Sequence, residues 1–168
     1  MSLGKTLAGE LAWEAVSTRK LLERVPADKK DWKPHPKSMS FGQLAAHVAE
    51  VPSWIAPTIA TTEMDFNPPD GKKWEGLKFE SNAQVLAAFD KGLEEAAAAL
   101  AKATDADLDV VWTMKDAGKT ILAMPRAQCL RSMVLSHLYH HRGQLTVYAR
   151  MNGVSLPAVY GPSADEQS

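Results

Sequence analysis

Residues 136–150 read SHLYHHRGQLTVYAR, and three of the chain's five histidines fall inside 137–141. The stretch reads as part of a long helix. Pro125 suits a first helical turn, where its missing N–H is not needed. Leu130, Val134, His137, His141, Leu145 and Tyr148 then recur at helical spacing. Asn152–Gly153 supplies a left-handed stop. On such a helix His137 and His141 lie on one face, about 5–6 Å apart at Cβ. His140 is turned away from them by about 100°, which makes it a surface, interface or supporting residue. This helix is expected to be the last of four.

The rest of the chain supplies the other three. Residues 3–25 carry Leu3, Leu7, Leu11, Val16, Leu21, Leu22 and Val25 as an apolar stripe that Pro26 ends. A proline-punctuated loop follows over 26–39, with Trp32 as its anchor. Ser40 and Gln43 form a capping-box pair, so a second helix is predicted from Phe41 through Leu44, Val48, Val51 and Ile55. Pro52 should kink it and Pro57 bound it. Residues 61–80 contain Pro68, Pro69, Asp70 and Gly71 and read as a long loop of the kind that often carries function. Ser81 with Gln84 opens the third helix, through Val85, Leu86, Phe89, Leu93 and Leu100. Two β-prone runs, VVWTM and KTILAM, flank Asp116–Ala117–Gly118 and read as a small hairpin. The expected fold is an all-α four-helix bundle with long crossover loops and a small hairpin before the last helix. It forms one domain over 1–168, with about 155–168 a loosely ordered tail.

Composition narrows the function. The chain has 168 residues, 45 % of them hydrophobic, and a formal net charge of −1. The balance argues against nucleic acid, whose binders show a basic excess or stripe. Lys29–Lys30 and Lys72–Lys73 are too short for a polybasic membrane patch. No stretch approaches the ~18 uninterrupted apolar residues of a membrane span, and the N-terminus lacks the apolar core of a signal peptide. One cysteine, Cys129, rules out an internal disulfide framework and fits a reducing compartment. A cytoplasmic protein is expected.

The chemistry lies in the histidines. His47 falls on the apolar side of the second helix, so His47, His137 and His141 can meet in a bundle core, where metal sites are built from facing helices. Three imidazoles leave an open coordination position, the catalytic rather than the closed structural pattern. Buried together with neither a partner nor a metal they would be costly. His35, in a flexible loop, is not expected to be a ligand. Other templates are absent: no His-Glu-x-x-His, no Glu-x-x-His, no Cys-x-x-Cys and no phosphate-binding glycine loop. Glu50, three residues after His47, is a weak catalytic candidate as general base or as orienter of a ligand histidine; a solvated surface glutamate is the plainer reading. Gly143 would let another helix approach. Arg142 and Gln144 would reach a rim or a subunit partner. Cys129 reads as a small buried hydrophobe. Trp54, Trp74 and Trp112 read as core anchors that could also wall a pocket.

The segments HLYHHRGQLTVYAR and NGVSLPAVYGPSADE resemble the C-terminal part of the DinB family, which is similar to the YfiT-like metal-dependent proteins. FGQLAAHVAEVPSW resembles that family's second-helix motif with its first histidine. The resemblance covers most of the chain. It implies a four-helix bundle with a long crossover, a divalent metal on His47, His137 and His141, and homodimers. Relatives in the wider superfamily include thiol-dependent S-transferases and a mycothiol-dependent maleylpyruvate isomerase, in which the metal activates a low-molecular-weight thiol.

The expected function is therefore a metal-dependent enzyme that activates a thiol or a water, with a small-molecule thiol and an electrophile as partners in the first case. The alternatives are a non-catalytic stress-response metal binder and a metal-free helical interaction module. Zn2+ is the expected ion in the cell. Raw affinity favours Cu or Ni, so Ni2+ could be acquired in purification and appear in a crystal.

Overall fold

The computed structural model describes residues 2–69, 71 and 73–167; Asp70 and Lys72 of the predicted loop lie outside these. Helix α1 (Leu3–Glu23) buries Leu7, Leu11, Leu21 and Leu22. Val16, placed on its stripe by the sequence, is 60 % exposed. The buried stripe runs instead through Glu14, Ala15 and Thr18, so two polar residues occupy core-facing positions. Helix α2 (Phe41–Glu50) starts at a complete capping box: Gln43 N donates to Ser40 Oγ at 3.2 Å and Ser40 N to Gln43 Oε1 at 2.8 Å. Pro52 sits at the start of a 3₁₀ turn (Val51–Trp54) that leads into α3 (Ile55–Ala60). Pro57 does not bound this stretch. It lies in the first turn of α3, where no intrahelical N–H is required, and helix continues to Ala60. Helix α4 (Asn82–Lys102) begins at Ser81, whose hydroxyl accepts from Gln84 N.

The expectation of an all-α fold is corrected here: the protein is mostly helical but carries a three-stranded sheet. After a short helix α5 (Asp105–Asp109) come β2 (Val111–Asp116) and β3 (Lys119–Pro125), the predicted hairpin. Its turn residues Ala117 and Gly118 both take positive φ, 49° and 78°, as a two-residue type I′ turn requires. The unpredicted strand is β1 (Glu63–Asp65), inside the supposed loop, paired parallel to β2 with Glu63 opposite Thr113. Three residues are too few to show an alternating pattern in sequence. Asp65 accepts from Gly118 N at 2.7 Å and Asn67 donates to Asp116 at 2.7 Å, fastening the segment to the hairpin turn.

The final helical stretch is continuous but not uniform. It runs as α6 (Arg126–Cys129), a π-helical segment (Leu130–Leu135) and α7 (Ser136–Met151). Arg126 is buried at its start and donates to the carbonyls of Thr61 and Asp107. Helix α1 packs on α4, and α2 packs on both α4 and α7. Phe41, Leu44, Phe89, Leu100, Leu138 and Leu145 fill the core between them. The segment expected to be a loose tail is tied down: Arg24 pairs with Glu166, Arg150 with Asp165 at 2.5 Å, and Val154 and Leu156 pack on the core. Among the described residues no helix is long and apolar enough to cross a membrane.

Candidate metal centre

Packing of α2 against α7 sets His47 opposite His137 and His141. One ring nitrogen from each of the three lies within 4.8 Å of the other two. His47 Nε2 and His137 Nε2 are 2.8 Å apart, and the ring centroids of the trio are separated by 4.5–5.0 Å. All three rings are half-buried. Burial, with the charge of His141 as a smaller contribution, pushes the imidazolium of His47 down to about 4. Burial, followed by His141, His47 and His140, does the same for His137. His141 is lowered too, again mainly by burial. At neutral pH the trio is uncharged, with lone pairs available, which is the state a cation requires. The donor set, its spacing and its protonation therefore fit: these three histidines could hold a metal ion.

The surroundings refine the roles. Gln144 Oε1 lies 2.8 Å from His141 Nδ1. Nδ1–H donating to that amide leaves Nε2 as the free nitrogen, the orienting device usual for ligand histidines. Gln144 thus reaches His141 of the trio; in sequence this contact was readable only as an i,i+3 pair on one helix. Trp54 packs on the centre as well, its ring 5.6 Å from that of His47 and 5.4 Å from that of His137. The 3₁₀ turn that carries it is pressed by α4: a Cβ on Gly92 would meet Ser53 N at 3.0 Å, so a side chain there would push the turn back by a few tenths of an ångström.

Glu50 is half-buried and stands apart from the trio. Burial raises its carboxyl, and a backbone hydrogen bond from Leu77 partly offsets the rise. It lines, with His47, Lys30, Asp31 and Lys78, a cleft of about 460 Å³. His140 is exposed, its ring 4.9 Å from that of His141 but outside the trio. His35 is exposed in its loop. Cys129 is buried, and burial pushes its thiol up to about 11.

Two expectations are corrected. Gly143 faces open space: nothing lies within 4 Å of the point where a Cβ would stand, so no helix approaches there. Arg142 reaches no rim: it is 3 % exposed and turned inward. It pairs with Glu14 at 2.6 Å and donates to Ser17 Oγ and Thr18 Oγ1, while Tyr160 OH lies 2.6 Å away and also donates to Glu14.

Sequence and fold are both matched by known proteins. The profile of the DinB superfamily matches residues 10–145. The chain belongs to the DinB superfamily. It is 27 % identical over 158 residues to the uncharacterized protein YrdA of Bacillus subtilis, covering 92 % of this chain and 86 % of that one. Its fold is similar to that of a DinB-like protein from Bacillus cereus, with a TM-score of 0.66 and 24 % identity over 93 % of this chain and 97 % of the other. The DinB-like protein YjoA of Bacillus subtilis has a TM-score of 0.67 and 22 % identity, over 92 % of this chain and 97 % of that one. A member of the family from Exiguobacterium sibiricum, at 0.63 and 16 %, with 94 % and 97 % covered, shares the fold as well.

Proposed function

We propose that this DinB-superfamily protein is a metal-dependent enzyme in which His47, His137 and His141 hold one divalent cation, zinc in the cell, and a thiol or a water is the nucleophile. The observation that carries the reading is the trio itself: three uncharged ring nitrogens gathered within 4.8 Å, with no carboxylate in the group among the described residues. A cation so held supplies Lewis acidity, lowering the pKa of a thiol or water toward neutrality. The protein's own groups do the rest. Gln144 fixes the tautomer and plane of His141. Glu50, with its raised carboxyl, is the group in the cleft suited to accept the nucleophile's proton. The protein acts as a homodimer in this reading, which the exposed Trp13 and Val16 on α1 and Val147 and Met151 on α7 support.

The test is metal content. The untagged protein, purified without a metal column, is expected to carry about one zinc per chain by mass spectrometry. His47→Ala and His137→Ala are expected to lose it. Thiol consumption with electrophile panels, and ester or amide hydrolysis, then separate the two nucleophiles. A wild-type protein that takes up no metal after incubation with zinc would overturn the reading.

A further inference from the structure

The proposed chemistry leaves one buried charge unused. Arg142 directly follows His141 and lies about 100° round α7 from it. The histidine meets α2, whereas the arginine meets α1. Arg142 Nη1 donates to Glu14 O at 3.1 Å, Ser17 Oγ at 3.0 Å and Thr18 Oγ1 at 3.1 Å. The Glu14 carboxylate stands 2.6 Å away, and Tyr160 OH lies 2.6 Å from Nη2. Nearly a turn earlier, Tyr139 OH donates to Glu10 at 2.7 Å. Glu10 and Glu14 are four apart on α1, and Tyr139 and Arg142 are three apart on α7, so two polar rungs join one face of each helix. The stretch before α7 leaves its rotation open. Arg126 and Arg142 are both buried, and each is held by directed hydrogen bonds. In a uniform α-helix, residues this far apart would face directions about 160° apart. The wide turns of the π-helical segment Leu130–Leu135 make up the difference. Such a segment does not pass the setting of α6 on to α7. Packing of Leu138 and Leu145 adds burial but little direction.

We propose that Arg142 and Glu14 are positioning residues for the metal centre: their hydrogen-bonded pair fixes the rotation of α7 that turns His137 and His141 toward His47. A buried ion pair often contributes no net stability over well-packed apolar residues of similar volume. The best-attested use of buried polar groups is to specify one register. A slip of α7 by one residue would carry its rings about 100° round the helix. The 2.8 Å approach of His47 Nε2 to His137 Nε2 would then be lost. The consequence for metal rests on the metal-enzyme reading above, whereas the ring contact does not depend on it.

The test separates position from stability in the full chain. Glu14→Leu with Arg142→Met removes the pair without stranding a charge, so the double variant is expected to fold with a urea midpoint near that of the wild type. Leu100→Ala is the control: it empties part of the core where α4 packs on α1 and lowers stability. After EDTA treatment, the wild type and Leu100→Ala are expected to show nuclear Overhauser contacts between the ring protons of His47 and His137. The double variant should lack them. Zinc affinity, measured against a competing chelator, is expected to fall about tenfold or more in the double variant, as when a group that orients a metal-binding histidine is lost. It should hold in Leu100→Ala. Arg142→Lys keeps the charge beside Glu14 but not the planar fork; it should give an intermediate loss, and it carries the test if the double variant does not fold. Ring contacts that persist in the folded double variant would overturn the proposal, whatever its zinc affinity, as would equal losses in Leu100→Ala. A wild type that takes up no zinc fails the metal-enzyme reading alone, and the ring contacts still decide the positioning role.

Discussion

Arg142 is a charge buried in the core. A guanidinium 3 % exposed is tolerable only because Glu14 neutralises it and Ser17, Thr18 and Tyr160 occupy its donors. Removing one member of such a pair strands the other charge, at about 3–5 kcal/mol, whereas replacing both with apolar groups is often neutral. Arg142→Ala is expected to lower the urea unfolding free energy by about that amount, and Glu14→Leu with Arg142→Met to recover most of it. Additive losses in the double variant would contradict this account. Sequence reading missed the pair because an arginine in a helical HHRGQ run and a glutamate in a polar N-terminal helix each look like surface charges. The histidines were legible for the opposite reason. An i,i+4 pair constrains geometry by itself, and His47 lay on an apolar stripe, which is an unusual place for a polar ring. Gln144 could be placed only once the rotamer of His141 was known.

The elements divide the same way. Both capping-box serines marked helix starts correctly, because a cap is a local contract between residues three apart. The strand β1 was illegible because its order comes from partners some fifty residues away, Thr113 and Gly118, rather than from its own pattern. The π-helical segment left no mark in the apolar periodicity either. The C-terminal segment is the case that can be tested by pH. Hydrogen bonds from Arg150 to Asp165 and from Arg24 to Glu166 hold both carboxyls below their ordinary values. A carboxyl lowered by folding stabilises the fold above its unfolded value of about 4, and that contribution fades as pH falls through the lowered folded value. Both pairs lie at the surface and are only partly covered, so salt should weaken the effect. Leu156 N–H donates to Asp165 and Ala158 N–H to Glu166, which makes these two amides the reporters. Their chemical shifts are expected to be flat from pH 8 to 5 and to move together below about 4. Flat shifts down to pH 3 would mean that the segment is not held by these pairs.

For the whole molecule, the histidine trio joins α2 to α7, two elements ninety residues apart in sequence. A cation that binds all three stabilises the folded chain by RT ln(1 + [M]/Kd), because the unfolded chain does not hold the rings together. Above Kd each tenfold rise in free zinc adds about 1.4 kcal/mol. For a chain of this size that is roughly 3–6 °C in melting temperature. Melting temperature measured in zinc buffers of fixed free concentration is therefore expected to rise linearly with log[Zn]. The slope should disappear in His137→Ala, which keeps the α2–α7 packing but not the third nitrogen. His140→Ala should retain the slope, since that ring is outside the trio. Proton competition gives the experiment its second axis. Folding holds His47 and His137 uncharged down to about 4 and lowers His141 as well, so the zinc dependence at pH 6 should be weakened less, relative to pH 7.5, than three ordinary imidazoles would allow. A melting temperature indifferent to zinc at both pH values would place the trio among packing residues and remove the link between the bundle and its chemistry.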